Sequence, residues 1–157
     1  MFNKHDVLLV ILDNGTTSMT AHQPNPGVCT SVLGEGCNHL DIESVVRGIG
    51  VTDVAKVKPF NMRGTLKTIE EMKARSGVRV IIAEEPCMLF ARRTLKQNRP
   101  QVAEVATQGE EALKCLGPAF RRGGTAEAPV VSVDESQCSG CMVCLQVTPA
   151  IRARKRS

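Results

Sequence analysis

Six apolar residues run unbroken from position 7 to position 12 and stop at Asp13-Asn14-Gly15. A continuous run of that length predicts a strand buried on both faces of a parallel sheet. Turn chemistry follows: Thr16, Thr17, Ser18 and Thr20, then Pro24, Pro26 and Gly27. Apolar positions next recur at helical spacing as Ile42, Val45, Val46 and Ile49. Asp41 is placed to cap that helix, and Gly48 or Gly50 to end it. Positions 51–57 read as a short strand closed by Pro59. Asn61 caps a second helix over 62–75, with Met62, Leu66, Ile69 and Met72 on its inner stripe. Lys67, Glu70, Lys73 and an i,i+4 pair of Glu71 and Arg75 lie outside. Gly77 ends it, and 78–83 is a further apolar strand. Strand, helix, strand, helix, strand predicts an α/β fold with a partial doubly wound parallel sheet. Such sheets hold ligands beyond the carboxyl ends of their strands.

The pattern is less regular afterwards. Glu84-Glu85-Pro86-Cys87 reads as a polar loop over a packed thiol; paired carboxylates at a strand end also suit acid–base work. Residues 104–116 suit a helix with Ala106, Ala112, Leu113 and Leu116 on one side, broken by Gly117-Pro118. Arg121-Arg122-Gly123-Gly124-Thr125 reads as a linker. No internal repeat is evident. Positions 130–134 alternate like a short strand and lead into Cys138-x-x-Cys141-x-x-Cys144.

Composition narrows the function classes. A chain of 157 residues holds one domain and a small appendix. With four Phe and no Trp or Tyr, the core is aliphatic and platforms for stacking nucleic-acid bases are lacking. Net charge is +4, concentrated in a basic end of Arg152, Arg154, Lys155 and Arg156, read as a solvated tail. No apolar run is long enough to span a bilayer and there is no secretory signal, so neither nucleic acid nor membrane is an expected partner, and the expected location is cytoplasmic. An odd count of seven cysteines argues against a secreted disulfide framework. Cys29 and Cys37, with His39 nearby, fit no zinc spacing and read as packed thiols.

Two stretches carry chemistry. The loop beyond the first strand offers the Asn14 amide, the hydroxyls of Thr16, Thr17, Ser18 and Thr20, and backbone carbonyls. Oxygen donors of this kind suit Mg²⁺ and the phosphates it accompanies; an ordinary Asn-Gly turn uses the same residue types. The cysteine run matches the first three ligands of the bacterial C-x₂-C-x₂-C-x₃-C-P pattern, with Thr148 where the fourth cysteine would precede Pro149. The ligand set for a [4Fe–4S] cluster is therefore incomplete. A cluster with an external ligand, a fourth ligand from a scattered cysteine, and a vestigial cysteine-rich tail all remain open.

The string from Leu12 through Asp13-Asn14-Gly15-Thr16-Thr17-Ser18-Met19-Thr20-Ala21-His22-Gln23 to Pro24 resembles the thiamine-diphosphate loop of the large (alpha) subunits of indolepyruvate:ferredoxin oxidoreductases, within the 2-oxoacid:ferredoxin oxidoreductases. Ala21 stands where that family usually has Gly. The resemblance covers about 3–92 and resumes at the cysteines. It implies a partial thiamine-diphosphate-binding domain over 1–93, an irregular linker over 94–128 and a partial ferredoxin-like segment over 129–157, in a chain that looks truncated at both ends. It implies thiamine diphosphate at Asp13, Asn14, Gly15, Thr16 and Thr17. Mg²⁺ is implied at the Asn14 side chain and the Thr16 carbonyl, and a further acidic ligand of the family lies upstream of this sequence. Cys138, Cys141 and Cys144 are the implied cluster ligands. The implied reaction is oxidative decarboxylation of an aryl 2-oxoacid, with coenzyme A, ferredoxin and a small (beta) subunit as partners. This chain alone is expected to be inactive, and no catalytic residue is assigned. A non-catalytic iron–sulfur electron-transfer module and an inactive truncated product are the alternatives.

Overall fold

The computed structural model describes residues 4–20, 22–28, 31, 33–34, 36, 38–93, 100–115 and 117–156. The chain divides into two compact units, Met1–Leu95 and Lys96–Ser157. Among the described residues, no helix is long and apolar enough to cross a membrane.

In the first unit, β1 (Val7–Asp13), α1 (Ile42–Gly48), β2 (Asp53–Val57), α2 (Met62–Lys73) and β3 (Val78–Glu84) follow in order. The three strands form a parallel sheet in the order β1-β3-β2. Successive side chains of a strand point to opposite faces, and β3 uses both. Val80 and Ile82 pack with Val46 of α1 and with Val51; Ile81 and Ala83 pack with Val57 and with Met72 of α2. One helix covers each face, which is the doubly wound arrangement expected from the alternating pattern.

The strand buried on both faces is β3, however, and not β1. Leu12 is 78% exposed and Leu9 50%, because β1 lies at the edge of the sheet with β3 as its neighbour. Asp41 caps α1, accepting the Ser44 N–H at 3.0 Å, and Asn61 caps α2, accepting the Gly64 N–H at 3.2 Å. These satisfy helix-end donors as anticipated. Arg75 pairs with Asp53 at 2.8 Å rather than with Glu71, which reaches Lys67 at 3.8 Å instead. Leu66 stays exposed, so the inner stripe of α2 is narrower than its spacing implied.

In the second unit the chain runs β4 (Gln101–Val105), α4 (Glu110–Leu113), β5 (Phe120–Gly124), β6 (Pro129–Val133), α5 (Cys144–Val147) and β7 (Ile151–Lys155), with α3 (Met88–Arg93) belonging to the first unit. β4 pairs antiparallel with β7, and β5 with β6. Residues 104–116 are thus not one helix: 101–105 are drawn into a strand by pairing with β7, tertiary pairing overriding local helical spacing. The Arg-Arg-Gly-Gly stretch is β5, not a linker. Gly124 is needed there, since its φ is +80° and an added Cβ would lie 2.3 Å from the Ala128 carbonyl oxygen. The basic end is β7, not a tail. Arg152 pairs with Glu104 at 2.7 Å, Arg154 with Glu104 and Glu135, and Arg156 donates to the carbonyls of Glu135 and Cys138.

A repeat that sequence spacing hides is visible in this unit. Strand–helix–Pro118-Ala119–strand is followed by strand–helix–Pro149-Ala150–strand, the two halves meeting through antiparallel pairs.

Candidate cofactor loop and cysteine cavity

The parallel register sets Asp13 at the end of β1 beside Glu84 at the end of β3, so both following loops leave from the carboxyl edge of the sheet. They are tied together there. Glu85 N–H donates to the Asp13 carbonyl at 3.0 Å, and Cys87 N–H to the Asn14 carbonyl at 2.9 Å. Gly15 turns the chain with φ +68°, a left-handed conformation glycine adopts without strain. Side-chain oxygens then brace the turn. Asp13 Oδ1 accepts the Gly15 N–H at 3.1 Å, and Asn14 Oδ1 accepts the Thr16 N–H at 3.0 Å. Asn14 Nδ2 donates to Ser18 Oγ at 3.0 Å, and Thr17 N–H to the Gln23 carbonyl at 3.2 Å.

The structure therefore gathers Asp13, Asn14, Gly15, Thr16 and Thr17 into one ordered turn. Thr16 is 6% exposed, and its Oγ1 has no hydrogen-bond partner among the described residues. A buried hydroxyl without a partner costs stability unless something else accepts or donates there. Asn14 Oδ1 also keeps a second lone pair for a cation. This donor set of hard oxygens fits Mg²⁺ and a diphosphate. Asn14 and Thr16 would hold the metal, and the Thr16 hydroxyl would meet the phosphate.

Glu84 is an ion-pair residue. Partial burial pulls its carboxyl upward, but Lys56 at 3.2 Å and Lys58 at 3.3 Å outweigh this and hold it below the usual carboxylate value. That matches a polar loop rather than a paired acid–base site.

Cys87, expected as a packed thiol under the polar loop, is half-buried and sits beside the cofactor loop. Its Sγ lies 3.7 Å from His22 Nε2, and the His22 ring stacks on Phe90 with centroids 5.6 Å apart. Hydrogen bonds from Ser18 foremost, then from the Phe90 backbone and His22, outweigh desolvation and lower its thiol from 9.0 to about 7. A depressed thiol pKa means that the thiolate is held in the folded state and is lost as pH falls through about 7. Alkylation of the Cys87 peptide by iodoacetamide, followed by mass spectrometry, is expected to rise with a midpoint near pH 7. Ser18→Ala is expected to move that midpoint up toward an ordinary thiol, about 8.5; an unmoved midpoint would remove Ser18 as its cause.

In the second unit, Cys138, Cys141 and Cys144 line a cavity of about 200 Å³, and Cys115 lines it with them. Cys115, Cys138 and Cys144 are buried in one cluster with Val102, Ala103 and Ile151. Burial pushes the Cys144 thiol up to about 12, aided by repulsion from Cys115, Cys141 and Cys138. The Ala103 N–H donates to Cys138 Sγ at 3.4 Å. Among the described residues, no three His, Cys, Asp or Glu side chains are grouped to hold a metal ion. A cubane spreads its four thiolates over four irons, so it needs sulfurs around a cavity rather than converging on one point. Four cysteines lining one pocket fit such a cluster. The sequence leaves open a fourth ligand from a cysteine outside the run, and the structure puts Cys115 at the cavity; it lies three residues before Pro118, whereas Thr148 directly precedes Pro149. Thr148 is buried and does not face the cysteines' role: its Oγ1 meets Glu111 Oε2 at 3.2 Å. Cys29 and Cys37 lie outside the described residues, and His39 is exposed.

Residues 1–83 match the model of the family described as thiamine pyrophosphate enzyme, C-terminal TPP binding domain. Across nearly the whole chain there is similarity to proteins named indolepyruvate oxidoreductase subunit IorA. The Archaeoglobus fulgidus protein is 35% identical over 95% of this chain and 24% of its own length. The Methanothermobacter thermautotrophicus protein is 35% identical over 94% and 24%, and the Thermococcus kodakarensis protein 31% identical over 96% and 20%. The chain thus spans about a quarter or less of the length of these relatives. No solved structure matches. With the matched region covering the parallel sheet and the loop at its carboxyl edge, the chain belongs to the thiamine pyrophosphate enzymes and carries their C-terminal TPP-binding domain.

Proposed function

We propose that this chain supplies the diphosphate–magnesium end of a thiamine-diphosphate site and an electron-exit cluster in a 2-oxoacid:ferredoxin oxidoreductase. The observation that carries the reading is the braced turn Asp13–Thr17 with the buried, unpartnered Thr16 hydroxyl. The names of the relatives support an aryl 2-oxoacid such as indolepyruvate as substrate. Coenzyme A would take the acyl group, ferredoxin the electrons, and a small (beta) subunit would complete the enzyme. Thiamine diphosphate, when bound, supplies the carbanion chemistry of decarboxylation. The residues here do the holding: Asn14 Oδ1 and the Thr16 carbonyl bind Mg²⁺, Gly15 lets the backbone approach, and Asp13 fixes the turn. We place the protein in the cytoplasm, where unbridged cysteines stay reduced.

A thermal-shift series tests this. Ligand that binds the folded state raises its melting temperature by mass action. The expected result is a rise with thiamine diphosphate plus Mg²⁺, and none with thiamine plus Mg²⁺ or with thiamine diphosphate plus a chelator. Equal shifts with thiamine and its diphosphate, or no shift at millimolar ligand, would overturn the reading. A second reading, an iron–sulfur module acting without thiamine, draws support from the cysteine cavity being built wholly within the second unit. Iron binding without any thiamine-diphosphate response would favour it.

A further inference from the structure

The second unit is a two-fold repeat, and one residue of each half reaches groups of the other. In iron–sulfur proteins with paired cysteine runs, the fourth cysteine of a run, the one ahead of proline, ligates the cluster of the other run. The equivalent places here follow α4 and α5. After α4, Cys115 lies three residues before Pro118; after α5, Thr148 directly precedes Pro149. The crossing is visible in the packing. Cys115, packed with Val102, Ala103 and Ala119 of its own half, lines the cavity that holds Cys138, Cys141 and Cys144 of the other. Thr148 leaves the other half to meet Glu111 of α4, where the Ala106–Lys114 stretch has no cysteine. Around it Ala112, Val131 and Ala150 close into a small apolar core.

We infer that Cys115 is the fourth thiolate of a single [4Fe–4S] cluster held with Cys138, Cys141 and Cys144, and that the Thr148–Glu111 contact and its apolar surroundings occupy the place of a second cluster. The inference deepens the electron-exit reading above and rests on it. The run 138–144 is then the second of a pair, the first having lost every ligand except the one that serves its neighbour. Each thiol gives its proton to solvent as its sulfur bonds one iron. Ferric and ferrous iron and sulfide enter from solution, and no cysteine is oxidised or reduced. The Ala103 N–H on Cys138 Sγ and the apolar lining of the cavity would set the potential.

Anaerobic reconstitution of the full chain with iron and sulfide tests this, read by iron and sulfide content, visible absorption and reduction potential. About four irons per chain are expected, and not eight. Cys115→Ala is expected to retain about three irons or fewer. Cys115→Ser, nearly the same size, is expected to keep iron with a shifted potential, because a hard oxygen replaces a soft sulfur. Far-UV circular dichroism of the apo variants shows that they fold. Four irons in Cys115→Ala together with an unshifted Cys115→Ser would overturn the role of Cys115 and leave the electron-exit reading standing. Eight irons in the unsubstituted chain would overturn the single cluster. No iron in a folded chain would overturn both the inference and the electron-exit reading, while the thermal response to thiamine diphosphate still reports separately on the cofactor loop.

Discussion

Ile82→Ala is expected to destabilise the first unit by about 2–5 kcal/mol, as other truncations of large aliphatic side chains in a close-packed core do. Ile82 is 0% exposed, on the middle strand of the sheet, packed with Val46, Val51 and Val80. Alanine there removes transfer free energy and leaves a void that the α1 side of the sheet fills only in part. Domains hold about 5–15 kcal/mol in total, so the substitution takes a large share of the stability. Leu12→Ala on β1 is the contrasting case. Leu12 is 78% exposed, and surface substitutions usually stay within about 0.5 kcal/mol. Urea unfolding of both variants measures the difference. Equal losses would mean that β1 is covered as deeply as β3, which would contradict the strand order β1-β3-β2.

The second large effect is on ligand binding. Asn14→Ala is expected to weaken Mg²⁺-dependent binding of thiamine diphosphate by about tenfold or more, the scale on which losing a partner of a bound metal lowers affinity. The substitution removes the Oδ1 that orders Thr16 N–H and the Nδ2 that reaches Ser18. Asn14→Asp keeps the Oδ1, puts a second oxygen in place of Nδ2 and adds a charge, so it is expected to keep or strengthen the Mg²⁺ dependence. Titration calorimetry of the three chains gives the order. If Asn14→Ala and the unsubstituted chain bind alike, Asn14 is a turn-forming residue and not a ligand.

The fold of the first unit was legible because its helices carry caps and its strands are short and apolar. Asp41 and Asn61 announced α1 and α2, and both cap as their chemistry requires. Strand order was not legible. The runs at 7–12 and 78–83 are equally apolar, and an apolar run alone does not say which strand is central. Burial of β3 on both faces follows from crossovers that place it between β1 and β2. In the second unit, local signals misled. The helix read over 104–116 gives way at its start, where Glu104 and Val105 pair with β7, and a Gly-Gly stretch with linker composition forms β5. The partner of β4 lies tens of residues away in sequence, whereas β5 pairs with β6 across a short turn. The cofactor turn was readable as a string of oxygen donors, but the burial of Thr16 Oγ1 depends on three-dimensional packing. Cys115 was hidden because two residues separate it from Pro118, which breaks the Cys-Pro spacing by which a fourth ligand is usually found.

The central claim is that the turn at the end of β1 receives the diphosphate of thiamine diphosphate through Mg²⁺. The most direct test is an ¹⁵N-heteronuclear NMR titration of the chain with thiamine diphosphate and Mg²⁺, resolving which amides move. The account predicts Mg²⁺-dependent shifts concentrated at Asn14, Gly15, Thr16 and Thr17 and at Glu85 and Cys87, whose amides are bonded to that turn, with thiamine alone leaving them in place. Shifts that leave this turn unmoved, or that are the same without Mg²⁺, would contradict it.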